Sequence, residues 1–261
     1  TLEIMSTDSN MEFTGKYKTK IEENGLVGVN GRKFADLIQR MPPGEITMRL
    51  GSNGQILYLE QGRKKYKLPT NESSWFQELA PFPDDYFIWS GEELKNILEK
   101  TIFCIADKES LINIVCLSMK ARDDGRVEVC GLDGTKIAIY IFENENMYNI
   151  LKEQNILFEK DYLNELRRWL PNDDIKIGLS DKKIFFADKN EIEMFSMPLK
   201  SGEFPKYRNI LDNFRENQNT SIEFYREEML DSLERIALFT TSEFQSVHIK
   251  IFDDYIFMDY Q

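Results

Sequence analysis

A chain of 261 residues, 41% hydrophobic and 30% charged, has the composition of one to three folded domains and excludes a disordered or collagen-like polymer. Its 33 lysines and arginines stand against 45 aspartates and glutamates, a net charge of −12, so any nucleic-acid contact requires segregated positive charge. No apolar run approaches the roughly 18–20 residues that span a membrane, and Thr1-Leu2-Glu3-Ile4-Met5 lack the basic start and apolar core of a signal peptide. Cys104, Cys116 and Cys130 form no CxxC pair, and His248 is the single histidine. A disulfide scaffold, a zinc ribbon and a two-histidine metal site are thereby disfavoured, and a reducing cytoplasm is the expected location.

In chain order, Phe34, Leu37, Ile38 and Met41 recur at helical spacing and stop at Pro42. Strands follow around Ile46, at Ile56-Leu57-Tyr58-Leu59 and at Tyr66-Lys67-Leu68-Pro69. The proline-containing stretch 76–85 reads as a linker. Ser90-Gly91-Glu92-Glu93 is a capping box opening a helix with Leu94, Ile97, Leu98 and Ile102 on one face. A strand over 112–119 and a turn at Asp123-Asp124-Gly125 form a hairpin. Tyr162, Leu163, Leu166, Trp169 and Leu170 make another helical stripe, stopped by Pro171, with strands at 174–179, 184–186 and 195–198. The polar stretch 212–219 reads as a second linker, followed by a helix through Leu233 and strands at 247–252 and 255–258. Short helices beside antiparallel strands make an α+β protein.

The chain also repeats itself. Leu37-Ile38-Gln39-Arg40-Met41-Pro42 reads against Leu166-Arg167-Arg168-Trp169-Leu170-Pro171, and Glu45–Leu50 against Asp174–Leu179, at an offset of 174 − 45 = 129. Ser6-Thr7-Asp8 matches Gly131-Leu132-Asp133 at 131 − 6 = 125, and Leu98-Glu99-Lys100 resembles Leu233-Glu234-Arg235. The chain therefore reads as the tail of one unit (1–82), a whole unit (83–211) and the head of a third (212–261).

Catalytic signatures fail on inspection. Gly131-Leu132-Asp133-Gly134-Thr135-Lys136 lacks the ending and spacing of a phosphate loop, Gly25, Gly28 and Gly31 do not make the dinucleotide fingerprint, and no GxSxG elbow occurs. The pairs Asp84-Asp85, Asp123-Asp124, Asp173-Asp174 and Asp253-Asp254 fall at turns, where aspartate is favoured for its own hydrogen bonding rather than as a metal ligand. No enzyme, cofactor or metal is expected.

Three strings then align with one family. Phe204-Pro205-Lys206-Tyr207-Arg208-Asn209-Ile210-Leu211 closes the middle unit, Gly131-Leu132-Asp133-Gly134-Thr135-Lys136-Ile137-Ala138 lies within it, and Gly31-Arg32-Lys33-Phe34 opens a helix in the first. With the threefold repeat, these resemble the bacterial sliding clamp, the beta subunit of DNA polymerase III, from the middle of its first domain to the middle of its third. The resemblance implies the DNA-clamp fold, repeated domains each with two helices packed on antiparallel sheets. It implies a non-catalytic processivity factor, a homodimeric ring when full length, that encircles double-stranded DNA without sequence preference and tethers the replicative DNA polymerase catalytic subunit. The clamp loader and other clamp-motif repair proteins would be further partners; no membrane is involved. The alternative is a repeat-built protein-interaction scaffold that does not bind DNA.

The resemblance also assigns residues. On the polar helix faces Arg32, Lys33, Arg40, Lys160, Arg167, Arg168, Arg226 and Arg235 would line the DNA channel, with Lys108 on a loop. Ile114, Leu132, Gly134, Thr135, Lys136, Ile137, Pro205, Asn209 and Ile210 match the family's pocket for short partner peptides. Tyr66 and Leu68 of one protomer would meet Leu238 and Phe239 of the other at the dimer joint.

Overall fold

Period-two and period-3.6 patterns become strands and helices where the apolar residues require it. The computed structural model describes residues 1–71, 79–107, 114–200, 202–216, 221–239 and 246–260. Two compact units partition the chain, Thr1–Pro205 and Lys206–Gln261.

The first unit opens with β1 (Leu2–Thr7), β2 (Glu12–Tyr17), β3 (Gly28–Val29), α1 (Gly31–Arg40), β4 (Thr47–Leu50), β5 (Ile56–Gln61) and β6 (Lys64–Asn71). The Asn30 side chain caps α1 by accepting from the Lys33 N–H at 3.0 Å, satisfying a backbone donor the helix leaves over. Phe34, Leu37 and Ile38 of α1 pack on Leu57, Leu59 and Leu68 of a sheet ordered β3-β6-β5-β4. The helical stripe read from the sequence is therefore the lid of a small core.

β7 (Tyr86–Ser90), α2 (Gly91–Thr101), β8 (Cys116–Ala121), β9 (Val127–Leu132), β10 (Ile137–Phe142), α3 (Glu145–Leu151), β11 (Ile156–Glu159), α4 (Lys160–Trp169), β12 (Asp174–Leu179), β13 (Lys183–Asp188) and β14 (Glu193–Pro198) follow. Ser90 caps α2 through the Glu93 N–H, as the capping box predicts. One sheet runs β10-β9-β8-β11. The helices α2 and α4 bury Leu94, Ile97, Leu98, Leu163 and Leu166 in a core shared with Leu117, Val129, Ile177 and Phe186. Each such side chain contributes about 1.5–3 kcal/mol when removed from water. The hairpin at Asp123-Asp124-Gly125 is confirmed, with Gly125 at φ 82°, a left-handed conformation that glycine adopts without a steric penalty.

The other sheet runs β1-β2-β14-β13-β12-β7 and so crosses from the first repeat into the second. Phe195 of β14 stands opposite Phe13 of β2, and Ser196 opposite Glu12. Side chains reinforce the joint: the Tyr17 hydroxyl donates to Glu193 at 2.7 Å, the Trp169 indole donates to the same carboxylate at 3.0 Å, and Ser196 donates to Glu12 at 3.0 Å. Lys183 pairs with Glu12 at 2.7 Å.

The second compact unit holds α5 (Arg208–Glu216), α6 (Arg226–Ala237), β15 (Val247–Ile251) and β16 (Ile256–Tyr260), the two strands pairing antiparallel. Among its described residues α6 buries none.

One expectation is corrected here, and one element is added. The stretch 212–219 is not simply a linker, because residues 212–216 belong to α5, in which Ile210, Leu211 and Phe214 recur at helical spacing among polar residues. The middle repeat has a third helix, α3, capped by Asn144 accepting from the Met147 N–H at 2.9 Å.

Candidate functional site

The cationic residues expected at a channel sit in three different settings. Arg32, Lys33 and Arg40 project from the exposed side of α1, opposite the Phe34/Leu37/Ile38 stripe. Lys160 begins α4 and turns inward: its ammonium donates to the Ile105 carbonyl at 2.7 Å and to Asp107 at 2.9 Å. It clasps the start of α4 to the segment after α2. Arg168 pairs with Glu165 one turn earlier at 2.6 Å and stays exposed, while Arg167 is half-buried. On α6, Arg226 pairs with Glu227 and Arg235 donates to Ser232 at 3.2 Å. Lys108 lies outside the described residues.

Of the residues expected to form a peptide pocket, Leu132, Gly134, Thr135, Lys136 and Ile137 belong to the β9–β10 turn. Leu132 and Ile137 are direct cross-strand partners, both half-buried. Between them Gly134 takes φ 92°. Asp133, which the sequence reading passed over, organises this turn. Its Oδ1 accepts from the Thr135 N–H at 2.8 Å, the Lys136 N–H at 2.7 Å and the Thr135 hydroxyl at 2.8 Å; its Oδ2 pairs with the Lys136 ammonium at 3.1 Å. These donors, the two backbone N–H groups foremost, hold the Asp133 carboxyl well below the usual carboxylate range. An Asx turn is legible from Asp-Gly-Thr, so this signal was available in the sequence.

The same hairpin approaches the end of α2 closely. A Cβ on Gly131 would lie 2.5 Å from the Thr101 carbonyl oxygen and 3.3 Å from the Ile105 side chain. Ile114 reaches the same neighbourhood through its carbonyl, which accepts from Ala106 at 3.1 Å. Pro205 is half-buried at the end of the first compact unit. Asn209 and Ile210 lie on α5 in the second unit, with Ile210 56% exposed.

At the proposed joint the four residues divide. Leu68 is 8% exposed inside its own core and Tyr66 packs against that core, whereas Leu238 and Phe239 are 81% and 60% exposed. The β6 strand pairs with β5 from Lys64 to Pro69, while β3 meets it only at Thr70 and Asn71. Among the described residues the other edge of 64–69 is therefore open.

The remaining chemistry is structural. Burial pushes the Cys104 and Cys116 thiols up, away from nucleophilic thiolate. Asp124 is held far below the usual range by Arg122 and Arg126 across its hairpin turn. Among the described residues no cluster of three or more His, Cys, Asp and Glu side chains could hold a metal, and no helix is long and apolar enough to cross a membrane.

Comparison with known proteins places this geometry. Residues 1–80 match the family described as DNA polymerase III beta subunit, N-terminal domain. The beta sliding clamp of Rickettsia felis is 26% identical over 259 residues, covering 96% of this chain and 65% of the relative; that of Chlamydia muridarum is 24% identical over 256 residues. The chain spans 58% to 65% of the length of curated relatives such as these. Among solved structures, the DNA polymerase III subunit beta from Pseudomonas aeruginosa superposes with TM-score 0.73 at 18% identity, covering 98% of this chain and 69% of that one. A sliding clamp from Bartonella birtlesii, bound to griselimycin, gives 0.77 at 20%, covering 99% and 73%. The chain has the DNA-clamp fold and is similar, over nearly all of its length, to the bacterial beta sliding clamps.

Proposed function

We propose that the protein is a DNA sliding clamp: a non-catalytic processivity factor that encircles duplex DNA in the cytoplasm and tethers the replicative polymerase. The observation that carries this reading is the repeated joint. β14 of the middle repeat bears β2 on its outer edge, and its counterpart β6 shows the same edge open. Units that join tail to head by one strand contact, with a further copy of that contact unfilled, build a closed ring when the rotation closes. Filling the edge also removes a row of unpaired backbone groups that otherwise invites aggregation. The division into 1–82, 83–211 and 212–261 belongs to the same proposal.

A ring holds DNA topologically, so weak and sequence-independent phosphate attraction suffices. Arg32, Lys33 and Arg40 on the exposed face of α1, with Arg167, Arg168, Arg226 and Arg235, supply it despite the net charge of −12. Lys160 acts chiefly as a clasp, and any share it has in DNA contact is secondary. The β9–β10 turn, with Leu132 and Ile137 as apolar wall and Lys136 at the rim, receives the short motifs of the polymerase, the clamp loader and repair proteins, together with Ile114, Gly134, Thr135 and Pro205. Its test is primer extension with the replicative polymerase and clamp loader. Long products with the parent protein and short ones with Ile137→Lys, which sets a charge in the apolar wall, are expected. Equal product lengths with a folded Ile137→Lys variant remove the pocket from the tethering role.

A further inference from the structure

The outer faces of the two repeated sheets differ in what covers them. In the middle repeat Gly178, Phe185 and Ser196 stand in one cross-strand row, and all three are buried. The cover is the linker between repeats. Phe82 meets Phe185 edge-on, with ring centroids 6.3 Å apart, and Pro83 lies so close over Gly178 that an added Cβ would come within 3.1 Å. The segment crosses from β13 to β12 in successive residues and ends in exposed Asp84 and Asp85.

The corresponding row of the first repeat is Arg49, Tyr58 and Lys67. In place of a glycine and a serine it has two long cations, and Lys65 stands beside them opposite Glu60. The Arg49 guanidinium, the Lys65 ammonium and the Lys67 ammonium lie 4.8, 4.7 and 5.9 Å from the centre of the Tyr58 ring. All three cations are exposed. Glu60 pairs with Lys65 at 2.8 Å and lies 3.8 Å from Arg49, so three positive charges meet one negative and the face keeps 3 − 1 = +2. Exposed Arg63 and Lys64, at the β5–β6 turn, extend it. On a chain of net charge −12 this is segregated positive charge, and it lies on the sheet face opposite α1.

We propose that this face docks an extended acidic peptide segment of a partner protein, laid across β4, β5 and β6 as Phe82 and Pro83 are laid across β13 and β12. Period-two alternation puts Arg49, Tyr58, Lys65 and Lys67 on one side of the sheet and Leu57, Leu59 and Leu68 on the other, so the site is built without disturbing the core. The cations are ordered beforehand by the Tyr58 ring and Glu60, which lowers the entropy lost when carboxylates arrive. Single-stranded nucleic acid fits less well, because Arg49 and Lys65 already sit over the Tyr58 ring on which a base would stack.

The inference is independent of the ring. A fluorescein-labelled Pro-Phe-Pro-Asp-Asp-Asp-Asp peptide, its asparagine counterpart and an oligothymidylate, each titrated by anisotropy against the whole protein, test it. The acidic peptide is expected to bind, to weaken on the order of tenfold in the triple variant Arg49→Ser, Lys65→Ser, Lys67→Ser, and to be released near ~1 M salt. Hydrogen exchange on the parent protein adds a readout that needs no variant: peptide should slow amides of Ile56–Gln61 and Lys64–Asn71. No binding, equal binding of the asparagine peptide, protection elsewhere, or an oligothymidylate site that the triple change abolishes would each overturn the proposal, the last by assigning the face to nucleic acid.

Discussion

Gly131 shows what a single position contributes to the candidate pocket. It is buried on β9, with the Thr101 carbonyl oxygen where a Cβ would need to be, at 2.5 Å. Gly131→Ala must push the β9–β10 hairpin from the end of α2, and we expect a loss of about 1–3 kcal/mol in urea unfolding. A stability equal to the parent's would mean that the hairpin and helix separate freely. The sequence proposed residues for this candidate pocket but not their fastening. Asp133 was read as part of a string, yet its carboxylate holds the turn through the Thr135 and Lys136 amides. Lys160 was read as a channel cation because it lies away from the apolar stripe; its contact with Ile105 is 55 residues distant along the chain, and no periodicity reports such a pairing.

At the scale of elements the joint between repeats offers a pH test. Burial, then the hydrogen bond to Glu193, raises the Tyr17 hydroxyl to about 12 from its ordinary 10.0. A group whose folded value is raised contributes stability that is complete below its unfolded value and lost as the pH climbs through the folded one. The parent should therefore lose stability between about pH 10 and 12, and Tyr17→Phe, weaker by about 1 kcal/mol at neutral pH, should show a shallower decline there. Parallel curves for the two proteins would place the Tyr17–Glu193 bond outside the folding equilibrium. Helices with a dense stripe, α1, α2 and α4, were legible, as were the cap of α2 and the proline stops after α1 and α4; the Asn30 cap of α1 was not. α3 and α5 were not: α3 spans 7 residues and α5 carries its apolar residues among Asp212, Asn213, Arg215 and Glu216, which outweigh them in any composition-based reading. Of the stretch 76–85, read as a linker, residues 76–78 lie outside the described residues; that Phe82 and Pro83 close over the next sheet follows only from the fold.

For the whole molecule, the repeat made the order of units readable, since equal spacing along the chain became equal strand registers. The proposed ring rests on the open β6 edge and on Leu238 and Phe239, exposed at the end of α6. In the intact protein, Leu238→Lys with Phe239→Lys should convert dimer to folded monomer in sedimentation equilibrium, because two charges replace apolar contact; a persistent dimer would put the joint elsewhere. Neither result by itself shows that DNA passes through the ring. Topology does. The intact protein, loaded by its clamp loader onto nicked circular duplex, should co-elute with the circle in gel filtration at moderate salt and be lost when one restriction cut makes that DNA linear. Equal retention on circular and linear DNA would contradict encirclement.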